Sequence, residues 1–325
     1  MSWSQLLDHL GASRNALGEV SHFPGSGQPV LIIGDHLAVI AVRGPETEKF
    51  LQGQLTCDVN AVIGGHWRLA MHLDLKGRGQ HSYVALPAAD GVDLLTCRAS
   101  ADDALAALKK YAMFSKVTLT RDDDRRALML REPPADEAMS SITLPTQIGE
   151  ATQGPHSTLA RLDVSTLLLV TGVQGARQLL NHYTVAELGG SDDWLRHEIG
   201  AGIGHIRQGG GGLWLPQALN YDVLDGVNFR KGCYLGQEVV ARMHFKGRMK
   251  LRMQRLHWQG AHVAPAGSLL RDTEGHAAGE LVVAVSNGET TDALVVLRLD
   301  HQGPLMLNGV ALDWQAGTLP YSLPT

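Results

Sequence analysis

The chain has 325 residues, 44% hydrophobic and 19% charged, with a formal charge of -5 and a sequence pI near 6.3. That length exceeds one ordinary core and suits two or three globular domains, and the mild acidity excludes a globally basic nucleic-acid binder. Cys57, Cys97 and Cys233 have no metal-ligand spacing and form no disulfide framework; with no long apolar run and with Asp8 and His9 near the start, the expectation is a cytoplasmic protein with no signal peptide and no membrane segment.

Residues 1–28 read as a lightly packed lead-in ending in Pro24-Gly25-Ser26-Gly27. Two β-rich runs, 30–33 and 37–42, flank Gly34-Asp35, a hairpin signal. Gly44-Pro45 opens a helix to about residue 53, and strands follow near 68–73, 81–86 and 92–97. Ser100 is placed to cap a helix with Asp103 three residues on and a stripe of Leu105, Leu108, Tyr111 and Ala112. A strand at 117–120 leads into Asp122-Asp123-Asp124-Arg125-Arg126, read as a solvated turn. Residues 132–158 read largely as linker. Strands at 159–164 and 167–171 precede a helix near 175–183. Ser191 then caps a helix with Asp192 and Asp193 in its first turn and Gly200 at its exit, and Gly209 to Gly212 reads as a mobile loop.

From about residue 246 only short strands and turns occur, among them 250–258, 279–285 and 293–299, the pattern of a small β-barrel. The strand–helix–strand order before it occurs twice. The expected organisation is a lead-in at 1–28, a first α+β lobe at 29–130, a second at 131–245 and a C-terminal barrel at 246–325.

The run Lys231-Gly232-Cys233-Tyr234-Leu235-Gly236-Gln237-Glu238-Val239-Val240-Ala241-Arg242 carries most of the chemistry. A cysteine is most often a small buried apolar residue. Here Arg230 and Lys231 precede it and a helix is predicted over 235–242, so cations and a helix N-terminus surround Cys233, the conditions that make a thiol reactive. The stretch 227–258 holds eight Lys and Arg against one acid, Glu238. Within it Lys246, Arg248, Lys250 and Arg252 alternate with Gly247, Met249, Leu251 and Met253, which predicts a strand with one cationic face. Such a strip suits a carboxylate-tailed ligand, an RNA backbone or an acidic protein, and a negative net charge with only one strongly cationic strip points toward an anionic ligand or partner rather than nucleic acid as such. Asp74-Leu75-Lys76-Gly77-Arg78-Gly79 predicts a tight turn. Trp194, at a helix start, is either a core indole or one that stacks on a flat heterocycle.

The Lys231–Arg242 run resembles the signature of the YgfZ family, folate-binding relatives of the glycine-cleavage T-protein, an aminomethyltransferase. The segments 51–59, 110–117, 215–218 and 319–323 are similar to further blocks of that family, so the resemblance spans nearly the whole chain. It implies two α+β (ferredoxin-like, T-protein-like) domains and a C-terminal β-barrel in a three-domain ring. It also implies binding of tetrahydrofolate or a derivative, and support of iron–sulfur enzymes that thiolate tRNA, with direct tRNA binding left open. Under it, Cys233 carries redox or transfer chemistry, Trp194 stacks on the pterin, and Lys231, Gly232, Tyr234, Gly236, Gln237, Glu238 and Arg242 line the ligand site. It also implies a second tryptophan in the 36–38 region, where His36-Leu37-Ala38 stands instead. At the acidic pair that serves folate in true aminomethyltransferases stand His81 and Ser82. Two alternatives remain: a folate-dependent one-carbon transferase, and a folate-regulated interaction module for iron–sulfur clients.

Overall fold

A computed structural model of the chain describes residues 2–25, 27–131 and 143–324. Ser26 and the 132–142 part of the expected linker lie outside the described residues.

In chain order the elements are α1 (Trp3–His9), β1 (Ser13–Arg14), β2 (Val20–His22), β3 (Leu31–Gly34), β4 (Leu37–Arg43), α2 (Thr47–Gln54), α3 (Val59–Ile63), β5 (Arg68–Leu73), β6 (Gly79–Ala88) and β7 (Gly91–Cys97). Next come α4 (Ala101–Ala112), β8 (Thr118–Asp122), β9 (Arg125–Leu130), β10 (Ala151–Gln153), β11 (Ser157–Arg161), β12 (Leu167–Gly172), α5 (Val173–Leu180), β13 (Leu188–Gly189), α6 (Ser191–Ala201) and α7 (Gln237–Lys246). The strands β14 (Leu251–Gln259), β15 (Leu269–Arg271), β16 (Ala277–Ser286), β17 (Thr290–Arg298), β18 (Leu305–Leu307), β19 (Val310–Leu312) and β20 (Trp314–Ala316) close the chain.

The chain divides into two compact units. The first comprises Met1–Gly53, Asp58–Arg68 and Tyr83–Trp194; the second comprises Gln54–Cys57, Leu69–Ser82 and Leu195–Thr325. In the first, a six-stranded sheet runs β10-β11-β12-β9-β3-β13, and β7 pairs with β4 and β4 with β8 in another. Side chains alternate faces along a strand. Accordingly Leu167 and Leu169 of β12 join a core with Leu6, Leu7, Leu179 and Phe23, while Leu168 and Val170 join a core with Val39, Leu86, Leu95 and Trp194.

The second unit holds the antiparallel sheet β19-β18-β15-β16-β17-β14-β20, a nearly closed barrel. Its interior is filled by Trp258, Leu256, Leu281, Val295 and Leu297, and the Trp258 indole donates to the His262 carbonyl at 3.1 Å. Among the described residues no helix is long and apolar enough to cross a membrane.

Several local expectations change. The first residues are packed rather than loose: Ser2 and Gln5 form a capping box for α1, which buries Trp3, Leu6 and Leu7. The turn at Gly34-Asp35 does not make a hairpin. β3 pairs with β9 and β13, and β4 pairs with β7 and β8, so the turn carries the chain from one sheet to another. Ser100 makes no side-chain cap, and the buried face of α4 is Ala101, Ala104 and Leu108, leaving Tyr111 exposed. The 122–126 turn is an ionic junction: Arg125 donates to both oxygens of Asp93 at 2.6 and 2.9 Å, and Arg43 reaches the same fully buried carboxylate at 2.6 Å. Ser191 does not cap α6 either. Its hydroxyl donates to the Val20 carbonyl at 2.8 Å, while Asp193 accepts from the Gly190 N–H at 3.1 Å. The exit glycine of α6 is Gly202, at φ +66°, rather than Gly200. Gly209 to Gly212 is tied down, since the Gly212 N–H donates to the Gly79 carbonyl at 2.8 Å.

Candidate functional site

The Lys231–Arg242 run lies in the second unit, in a loop and the helix that follows it. Asn228 starts the loop: its side-chain oxygen accepts from the N–H groups of Arg230 and Lys231 at 2.7 and 3.1 Å, an Asx turn. Lys231 then points inward. Its ammonium donates to the carbonyls of Leu55 and Cys57 at 2.8 and 2.6 Å and stands 5.1 Å from the centre of the Tyr234 ring. The Lys231 charge is thus engaged by protein dipoles and a ring face.

Tyr234 is 7% exposed, and its buried hydroxyl has no hydrogen-bond partner among the described residues. Burial pushes its pKa up to about 12, so the group remains a proton donor at neutral pH. Cys233 and Gly232 are exposed, and a Cβ added at Gly232 would meet nothing within 4 Å. Cys57 and Cys97, in contrast, are buried.

Helix α7 begins at Gln237, two residues later than its predicted start, and runs to Lys246, four residues past its predicted end. Gly236 sets its first turn at φ +76°, a left-handed conformation costly to residues with a Cβ. Val240 is its buried anchor, and Gln217 donates to the Val240 carbonyl at 2.8 Å. Glu238 and Arg242 are exposed and Gln237 is half-buried.

The Asp74–Gly79 turn packs directly against this loop. Asp74 accepts from the N–H groups of Lys76 and Arg78 at 2.8 and 2.9 Å, and Gly77 adopts φ +74°. A Cβ on Gly236 would run into the Asp74 carbonyl and lie 3.1 Å from the Gly77 Cα, and one on Gly77 would lie 3.0 Å from the Val239 Cβ. The turn therefore does more than reverse the chain: its glycine lets two backbones meet. Sequence reading saw both glycine motifs but had no signal that they touch.

The alternating cationic strand does not form. Lys246 ends α7, Gly247 caps it, and Arg248 and Lys250 lie in the connection to β14, all exposed. Arg252 is buried and grips Asp222 with two bonds of 2.7 and 2.9 Å, donating also to the Gln217 carbonyl at 3.0 Å. A buried acid elsewhere in the chain removes it from any exposed strip, and Asp222 lies far outside the periodic window.

Trp194 belongs to the first unit, where it is 4% exposed within a hydrophobic core. His36 meets it edge to face, centroids 5.6 Å apart at 73°. The residue that the resemblance sets where a second tryptophan is expected thus stands against Trp194, and His36 is itself 2% exposed.

Ser82 accepts from the Ile206 N–H at 2.7 Å and lies 3.3 Å from Nδ1 of His205. Across that ring the Glu198 carboxylate stands at 3.6 Å and is held by Arg207 at 2.7 Å. Burial pulls the His205 pKa down, with Glu198 opposing. Among the described residues no cluster of His, Cys, Asp and Glu has metal-binding geometry.

No family model matches the chain. Over 251 residues it is 35% identical to the tRNA-modifying protein YgfZ of Sodalis glossinidius (strain morsitans), an alignment covering 75% of this chain and 76% of that one. The chain belongs to the YgfZ family. The fold has a solved counterpart in the glycine cleavage system aminomethyltransferase T from Bartonella henselae, with a TM-score of 0.73 over 97% of this chain and 96% of that one. At 18% identity that likeness is one of fold. Membership of the YgfZ family accords with the Lys231–Arg242 signature, and the T-protein fold accords with the α+β and barrel composition expected from sequence.

Proposed function

We propose that this YgfZ-family chain binds tetrahydrofolate or a derivative at the face of the Lys231–Arg242 segment and, so loaded, assists iron–sulfur enzymes that thiolate tRNA. The observation that carries the reading is the Tyr234 hydroxyl, a buried proton donor with no hydrogen-bond partner among the described residues, on the residue that follows the exposed Gly232 and Cys233. A buried donor left unsatisfied costs about 1–3 kcal/mol, so a ligand acceptor placed there recovers that energy. Tyr234 would hold an acceptor of the ligand, and Arg242, exposed on the same segment, would receive a carboxylate of a folate tail. Gln237 and Glu238 would offer hydrogen bonds at the first turn of α7. Lys231 would act by fixing the loop, and Cys233 would present a thiol for redox or transfer chemistry. Stacking of a pterin on Trp194 requires its core packing against Gly34 and His36 to open. Support also comes from the tRNA-modifying name of the Sodalis relative and from a fold like that of an aminomethyltransferase.

One-carbon transfer is the weaker reading. Ser82, at one of the two acidic positions, is buried, accepts from a backbone N–H and cannot supply a carboxylate. Capture of client enzymes from extract on immobilised protein, with and without tetrahydrofolate, tests the accessory role. Folate-dependent capture of iron–sulfur enzymes is the expected result. Steady one-carbon turnover without such capture would favour the transferase.

A further inference from the structure

Three rings from the cationic stretch gather in one place on the second unit. Phe229 and His244 stack with centroids 3.7 Å apart and planes 15° apart. Phe245 stands edge-on to both, 6.2 Å from Phe229 and 4.8 Å from His244. The cluster is not core: His244 is exposed and Phe245 is 69% exposed. Exposed rings gathered at one spot offer flat faces to a stacking partner.

The stretch that carries the rings is one-sided in charge. Of the eight cations between residues 227 and 258, Lys231 is engaged with Leu55 and Cys57, Arg252 with Asp222 and Arg255 with Asp292. Arg230, Arg242, Lys246, Arg248 and Lys250 are left exposed, against the single acid Glu238 at the far end of α7.

We infer that this surface holds an unpaired RNA segment, with a base stacked on the Phe245–His244–Phe229 cluster and its phosphates on Lys246, Arg248 and Lys250, the exposed cations that follow it in the chain. Exposed rings set among cations are how proteins hold single strands, because every base has a flat face to stack and every linkage a charge to neutralise. An acidic peptide would use the cations but has no need of a ring platform. A duplex hides its base faces. Phe229 sits against the last turn of α7 while Gly236 sets its first, so the loop carrying Cys233 runs back along the helix, roughly 15 Å at 1.5 Å per residue. A strand seated on the rings and following α7 would pass the exposed thiol.

Fluorescence anisotropy with a labelled unstructured oligoribonucleotide tests this, alongside a duplex of matched charge and a polyglutamate peptide. Phe245→Ala is expected to weaken the single strand roughly ten- to a hundredfold with little change in salt slope, and Phe245→Trp to restore it. Lys246→Ala and Arg248→Ala should each lower the slope of log affinity against log salt by about 0.7. The exposure of Phe245 keeps the core out of the comparison, which an unchanged unfolding midpoint verifies. Unchanged affinity in Phe245→Ala, or equal affinity for duplex, would overturn the inference; so would polyglutamate displacing RNA as tightly as RNA binds, which would assign the surface to an acidic protein. Tetrahydrofolate affinity should be unaltered in Phe245→Ala. Its loss would place the rings in the folate site instead. RNA binding by a protein that fails to bind folate would sink the folate reading alone.

Discussion

Arg252 and Asp222 form a two-bond ion pair, 2.7 and 2.9 Å, with both side chains about 95% buried (5% and 6% exposed). Removing one partner leaves an uncompensated buried charge, which costs about 3–5 kcal/mol. Arg252→Ala should therefore lower the stability of the protein by that amount in urea unfolding. Asp222→Ala should do the same, and the double replacement should cost less than the sum. An Arg252→Ala protein as stable as wild type would return this residue to the exposed cations.

Gly236 and Gly232 sit four residues apart in one motif, yet their replacements should behave oppositely. Gly236 has φ +76° and faces the Asp74 carbonyl; Gly232 faces open space. Gly236→Ala should lose at least about 1–2 kcal/mol from the left-handed backbone alone, more with the clash. Gly232→Ala should stay within about 0.5 kcal/mol. Melting temperatures of the two variants decide it, and equal melting would mean the loop does not pack on the Asp74 turn as described.

A thiol reagent applied to the native protein should find one fast cysteine. Cys233 is exposed, while Cys57 and Cys97 are 0% and 9% exposed. Cys233→Ser should abolish the fast phase, keep the unfolding midpoint, and fail to support tRNA thiolation in a deletion strain. Normal thiolation with Cys233→Ser would remove the thiol from the function.

Acid should destabilise the second unit through His72. Burial, reinforced by the nearby His81 charge, brings the His72 pKa from 6.5 down to about 4. Between those values the unfolded chain binds a proton that the native one does not. The contribution is thus fully present above about 6.5, falls with pH through the window and levels off below about 4, a loss of up to about 3 kcal/mol. Urea midpoints across this range should slope in wild type and flatten in His72→Phe. Parallel slopes would mean that another group governs the acid limb.

What the sequence made legible was local. Strand positions, the barrel and the helix after Cys233 follow from periodicity and glycine spacing, because those signals act over a few residues. The signals that failed all depended on partners far along the chain. Arg252 fitted an exposed alternation until Asp222, 30 residues away, claimed it. Lys231 read as a cation flanking Cys233, and nothing local announced that its ammonium holds the carbonyls of Leu55 and Cys57. Ser191 read as a cap and instead donates to Val20. The Phe229–His244 stack joins residues 15 positions apart across a loop whose course no periodicity encodes.

A reduced folate on the face of the Lys231–Arg242 segment would take the Tyr234 hydroxyl as a donor. Isothermal titration of tetrahydrofolate into wild type, Tyr234→Phe and Trp194→Phe decides whether it does. Saturable binding to wild type is expected, with a loss of about tenfold in Tyr234→Phe, the worth of one buried hydrogen bond. A smaller change in Trp194→Phe would mark its indole as core rather than contact. Tetrahydrofolate that fails to bind wild type, or that binds Tyr234→Phe as tightly, would remove the folate from this face.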